Sequence, residues 1–217
     1  MNTILQLAAT LVIVIIARLL ILFYLPHSPS PKSRTQAAKT CIVMGSGGHT
    51  GEMTRLLTHL PSHQFYPRCY LIASTDTISG SKAKELEREV LSGGEGRDFR
   101  IVYIPRSREV GQSWISTVGS TVGALVACGL RFWDVWPDVI VCNGPGTCIP
   151  IILVAHFFKI LGLKQTAVIF IESFARVESL SLTGRILYVT RMANKFVVQW
   201  PELQERYPRS LYSGRLV

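Results

Sequence analysis

Cys41-Ile42-Val43-Met44-Gly45-Ser46-Gly47-Gly48-His49-Thr50 decides how this chain is read. Four apolar residues in a row, ended by glycines, suit a strand buried on both faces of a parallel sheet. Beyond the turn, Met53, Leu56, Leu57 and Leu60 recur at helical spacing. The unit is strand, glycine turn, helix, and the free N–H groups at such a helix start attract an anion.

Working outward, the same alternation continues. Further strands are predicted at 69–73, 100–104, 139–142, 166–171 and 195–198. Between them fall a charged, solvated helix over 82–90, a long helix marked by Ile115, Val118, Val122, Leu125 and Val126, and a very apolar helix over 148–161. Alternating strands and helices imply one Rossmann-like, doubly wound parallel α/β sheet of order 3-2-1-4-5-6. His156 and Lys159 interrupt 149–163, so that segment reads as a core helix rather than a membrane span.

Upstream, 4–25 is almost wholly apolar, broken mainly by Gln6, Thr10 and Arg18. About 20 such residues cross a ~30 Å hydrocarbon layer. A cleaved signal peptide would carry a basic start and a small-residue cleavage site, and neither is present. Lys32, Arg34 and Lys39 follow the run, and no basic residue precedes it. The positive-inside rule then puts the rest of the chain in the cytosol. Expected organisation is a lumenal N-terminus at 1–3, a single-pass anchor at 4–25, a stiff Pro/Ser linker at 26–39 and one cytosolic domain at 40–217.

Five cysteines without a C-x-x-C pair point to reduced thiols and to neither a disulfide framework nor a zinc site. The formal charge of +9 is scattered, with no basic block or aromatic-interleaved stripe, which argues against nucleic acid. A basic domain at an anionic leaflet accounts for the charge instead.

In a doubly wound sheet the ligand lies where strand order reverses, here between the first and fourth strands. Both end in unusual loops, Gly45-Ser46-Gly47-Gly48-His49 and Asn143-Gly144-Pro145-Gly146-Thr147. Glu52 stands where a P-loop needs Lys after Gly51, so that reading fails. Thr50 replaces the third glycine of a dinucleotide fingerprint, yet Asp76 after the second strand keeps an anchored nicotinamide-dependent reductase open. The remaining reading is a sugar-nucleotide-type transferase whose glycine loop faces a lipid diphosphate. His49 is the candidate general base, against the plainer reading of a helix-start histidine bonded locally. Glu172 is its candidate support, or else an acid capping a turn. Arg106, Arg108 and Arg176 fall at strand ends where they suit phosphate, although solvated arginine is the commoner case.

In order along the chain come the apolar start, Gly45 to Thr50, Pro105 to Gln112, Pro137-Asp138, Asn143 to Cys148, Glu172 to Val177 and the terminal Gly214-Arg215-Leu216-Val217. This ordered set resembles the membrane-anchoring subunit of the dolichol-pathway UDP-N-acetylglucosamine transferase, an asparagine-linked glycosylation family. The resemblance implies the N-terminal, acceptor-binding half of a two-Rossmann-domain glycosyltransferase, inactive alone. A cytosolic partner subunit would hold the donor. It implies transfer of N-acetylglucosamine from its UDP donor to N-acetylglucosaminyl-diphospho-dolichol at the endoplasmic reticulum membrane, with no cofactor and no metal. By carry-over, Gly45, Ser46, Gly47, Gly48, Thr50, Asn143, Gly144, Gly146, Thr147, Arg106 and Arg176 would surround the acceptor diphosphate. The apolar tail Gly214 to Val217 would dock on the partner.

Overall fold

A computed structural model describes residues 2–24, 36–91, 99–106, 114–144 and 146–217. Helix α1 (Asn2–Tyr24) precedes β1 (Thr40–Met44), α2 (Gly48–Thr58), β2 (Arg68–Ala73), α3 (Ser79–Leu86) and β3 (Phe99–Ile104). Then follow α4 (Trp114–Val135), β4 (Val139–Cys142), α5 (Cys148–Ile160), β5 (Ala167–Ile171), α6 (Leu182–Thr190), β6 (Lys195–Val198), α7 (Pro201–Arg206) and β7 (Leu211–Tyr212). The sheet is parallel throughout, in the order β3-β2-β1-β4-β5-β6-β7. The expected six-strand order holds, and β7 extends it by one.

Why these runs became strands is visible in their burial. Every residue of β1 and β4 is buried. Along β1, Cys41 and Val43 enter the core layer that holds α5, while Ile42 and Met44 enter the layer that holds α2 and α3. That period of two needs apolar side chains at every position of a central strand. At the sheet edge β3 exposes Arg100 and Tyr103. All five cysteines are free and buried, as reduced core thiols should be.

The segment 149–163 is a core helix: Ile151, Ile152, Val154 and Ala155 of α5 are buried. The segment 82–90 departs from its sequence reading. Helix α3 passes into a π-helical turn at Glu87–Leu91, and Glu87 is fully buried rather than solvated. Its carboxylate accepts a bidentate pair from Arg68 at 2.5 and 2.6 Å and a third bond from Tyr70 Oη at 2.6 Å. A buried charge persists only with such pairing.

Helix α1 runs over residues 2–24 and so takes in 4–24 of the expected span; Met1, Leu25 and most of the linker lie outside the described residues. Among the described residues no helix is long and apolar enough to cross a membrane. Helix α1 meets the domain at the C-terminal end of α5. There Arg18 Nη2 donates to the Lys159 carbonyl at 3.4 Å and packs beside Gly162. The awkward charge of the apolar run is thus a cation at a helix C-terminus, where the helix dipole favours it.

Candidate active site

The two loops singled out from sequence meet above the β1–β4 pair. Gly45 is buried, whereas Ser46, Gly47 and Gly48 face solvent. Gly47 is the N-cap of α2 with φ 63°, and it supplies no side-chain cap. The leading N–H groups of α2 are therefore offered to whatever sits above the turn. Thr50, expected among the ligands, instead locks the turn from inside. Its hydroxyl donates to the Gly45 carbonyl and lies 2.6 Å from Ser79 Oγ. Arg106, just past β3, reaches over the same turn and donates to Ser46 Oγ at 3.0 Å.

The second loop interlocks with the first. Asn143 is fully buried, and its Nδ2 donates to the His49 carbonyl at 2.8 Å. Gly144 has φ +98°, and a Cβ there would lie 3.1 Å from His49 Cε1 and 3.5 Å from Nδ1. Thr147 N-caps α5 without a side-chain cap bond, so a second uncapped helix start adjoins the first. Among the described residues, three buried side-chain atoms lack a hydrogen-bond partner: His49 Nδ1, Asn143 Oδ1 and Thr147 Oγ1. All three belong to this junction. A buried polar atom left unpaired costs about 1–3 kcal/mol, so three together mark a place built for something else to complete.

Around His49 the acids divide differently from expectation. Glu52, three residues on along α2, brings Oε2 to 3.9 Å from His49 Nδ1. Its other oxygen accepts from Ser173 Oγ at 2.8 Å. In the sequence, Glu52 stands out only as the residue that breaks a P-loop pattern. The i,i+3 spacing from His49, which puts both on one helix face, was the available signal. Glu172, the expected support, is fully buried and already accepts three hydrogen bonds. Oε1 accepts from Ser173 N at 2.9 Å, and Oε2 accepts from Ser181 N and Ser181 Oγ, each at 3.0 Å. Burial holds its carboxyl above the ordinary range, against the opposing pull of those hydrogen bonds. Its structural work is to tie β5 to the start of α6, where Ser181 Oγ accepts from Gly184 N at 3.0 Å. Arg176 is exposed on the turn after β5, close enough to lower the Glu172 carboxyl electrostatically.

Asp76 is a correction. Its Oδ1 accepts from Ile78 N and Ser79 N at 3.1 and 3.0 Å, and its Oδ2 accepts from Ser79 Oγ at 2.6 Å. That carboxylate is committed to starting α3, so its position gives the reductase reading no support. Arg108 and Pro145 lie outside the described residues. Gly146 sits at the start of α5, its carbonyl accepting from Ile149 N at 3.2 Å. The tail rests on its own domain: Leu216 N donates to Gln199 Oε1 at 3.2 Å, and the Arg215 guanidinium lies 4.4 Å above the Trp200 ring.

Comparison with known proteins gives this geometry a family. The sequence profile described as "Oligosaccharide biosynthesis protein Alg14 like" matches residues 40–216. The UDP-N-acetylglucosamine transferase subunit ALG14 of Homo sapiens is 44% identical over 179 residues, covering 81% of this chain and 82% of that protein. The Mus musculus subunit of the same name is 42% identical over the whole of both chains, and that of Schizosaccharomyces pombe is 41% identical over 85% of this chain and 86% of its own. Among solved structures, Acinetobacter baumannii MurG superposes with a TM-score of 0.54 at 15% identity, over 81% of this chain and 44% of MurG. LpCGTa, crystallised in complex with UDP, gives a TM-score of 0.50 at 13% identity, over 82% of this chain and 52% of its own. These two likenesses concern the fold, and in each the chain corresponds to about half of the larger protein.

Proposed function

This chain belongs to the Alg14-like family of oligosaccharide biosynthesis proteins, and from that premise we propose that it is the membrane-anchored, acceptor-binding subunit of a UDP-N-acetylglucosamine transferase. The reaction is transfer of N-acetylglucosamine from the UDP sugar to N-acetylglucosaminyl-diphospho-dolichol on the cytosolic face of the endoplasmic reticulum. The acceptor hydroxyl attacks the anomeric carbon of the donor, UDP leaves, and the hydroxyl proton passes to His49. A separate cytosolic subunit holds the donor.

The observation that carries this reading is the junction of two uncapped helix starts with three unpartnered buried polar atoms. Uncapped N–H groups of α2 and α5 suit a diphosphate, with Arg106 at the rim and Arg176 on the neighbouring turn. Asn143 Oδ1 and Thr147 Oγ1 suit the sugar and phosphate oxygens. His49 at the same point supplies an imidazole nitrogen that can take the proton of the attacking hydroxyl.

Membrane attachment is supported by what the helices expose. Ile4, Leu5, Leu7 and Ile13 of α1 are each more than half bare. In the domain, α4 exposes Val126, Leu130 and Trp133, and α5 exposes Phe157, with Leu161 and Leu163 following. Exposed apolar side chains on α1 and α4, each of which packs against α5, suit a lipid surface. Attachment of this kind would hold the domain beside a lipid-borne acceptor. The ordered tail, Gly214 to Val217, then forms part of the surface that receives the partner.

Binding of a water-soluble acceptor analogue, N-acetylglucosaminyl diphosphate on a short isoprenoid, tests the site directly. Calorimetry is expected to show saturable binding by the chain in detergent, weakened at least tenfold in Asn143→Ala. Binding that is unaffected by that substitution contradicts the assignment.

A further inference from the structure

The geometry points to Glu52 as the positioning residue that fixes the tautomer of His49; this rests on the reading of His49 as the base. Glu52 is held from two strands at once. Ser173, after β5, donates to Oε1 at 2.8 Å, and Asn143, after β4, brings Nδ2 to 3.4 Å from Oε2. The side chain is 16% exposed, so the carboxylate is a fixture of the site wall. His49 lies one helical turn before it, with the buried, partnerless Nδ1 3.9 Å from Oε2.

Two constraints keep the ring facing that oxygen. Asn143 grips the His49 backbone carbonyl at 2.8 Å, and Gly144 closes against the Cε1–Nδ1 edge. A small ring rotation brings Nδ1–H onto Glu52 Oε2, as catalytic hydrogen bonds tighten when substrate arrives. With Nδ1 as donor, neutral imidazole carries its lone pair on Nε2. As the acceptor oxygen bonds to the anomeric carbon and the bond to UDP breaks, the hydroxyl proton goes to Nε2. The imidazolium formed is stabilised by the Glu52 carboxylate until the proton passes to solvent. The other ionisable groups near this point are Glu172, which already accepts three hydrogen bonds, the exposed Arg176 and the half-buried Arg106.

The test uses the full chain with its donor-binding partner, with nitrogen NMR of the His49 ring in the chain itself as a second readout. The wild type is expected to show the Nδ1–H tautomer, and Glu52→Ala the Nε2–H form. In the complex, Glu52→Gln is expected to lower kcat about 10²-fold with KM within about twofold, and Glu52→Asp to recover part of the loss. In a His49→Ala background, Glu52→Gln is expected to lower kcat no further. Unchanged tautomer in Glu52→Ala, or a further loss in the double variant, overturns the proposal. Full activity of His49→Ala alone instead overturns the underlying reading of the base, so the two failures are distinguishable.

Discussion

Replacing Gly144 with Ala probes both the fold and the chemistry at one atom. Gly144 has φ +98°, where an L side chain is strained; such strain costs about 1–3 kcal/mol. The added methyl would also stand 3.1 Å from His49 Cε1. Carbon pairs prefer about 3.5–4.0 Å, so the ring must retreat by roughly 0.4–0.9 Å. It cannot carry its backbone along, because Asn143 holds the His49 carbonyl. Misplacement on the order of 1 Å costs up to about 10²-fold in rate. At about 2–4 °C per kcal/mol for a chain of this size, the expected fall in Tm is about 2–12 °C. The assay is paired: thermal unfolding of the detergent-solubilised chain, and kcat of the reconstituted complex. Gly123→Ala is the control, since nothing lies within 4 Å of its would-be Cβ on α4; that change is expected to stabilise by up to about 1 kcal/mol. Gly144→Ala with unchanged Tm and kcat would refute the strain argument. A lowered Tm with unchanged kcat would refute the claim that the ring's position matters.

Three further substitutions follow from buried polar groups. Gly184→Ala would drive a methyl into Glu172 Oε2, which Ser181 holds through two hydrogen bonds; losing one such bond to a charged group costs about 1.5–3 kcal/mol, measurable by denaturant titration. Glu87→Ala leaves the Arg68 guanidinium buried without its carboxylate, a loss of about 3–5 kcal/mol; a change under 1 kcal/mol would mean water reaches the pair. Asp76→Ala removes three hydrogen bonds at the start of α3, at about 1–3 kcal/mol near neutral pH. Those bonds outweigh desolvation and hold the Asp76 carboxyl below its ordinary value of 3.8. Its contribution is therefore full above that pH and fades as pH falls through the lower folded value. The gap between wild type and variant should close in acid, and a gap that widens there would contradict the sign.

How much of this was legible in the sequence depends on burial. β1 and β4 are buried on both faces, so their strand character was written in unbroken apolar runs, and their neighbouring loops followed from the order of strands. α6, α7 and β7 left weaker marks. Nine residues with Gly184 inside, six residues behind Pro201, and a two-residue edge strand are too short for periodicity to register. Charge misled twice. Glu87 looked solvated because its partners, Arg68 and Tyr70, come from a different strand. Glu172 looked available because Ser181, which donates two hydrogen bonds to it, is nine residues on. Long-range partners of polar side chains have no local signature, whereas apolar strands do.

The proposed role of this chain is to supply the acceptor half of a divided transferase. Its most direct test is reconstitution with purified chain, purified donor-binding subunit, UDP-N-acetylglucosamine and N-acetylglucosaminyl-diphospho-dolichol in liposomes. The expected result is no product from either protein alone, product from the mixture, and loss of product with His49→Ala despite retained assembly. Full turnover by this chain alone, or undiminished turnover by the His49→Ala complex, would contradict it.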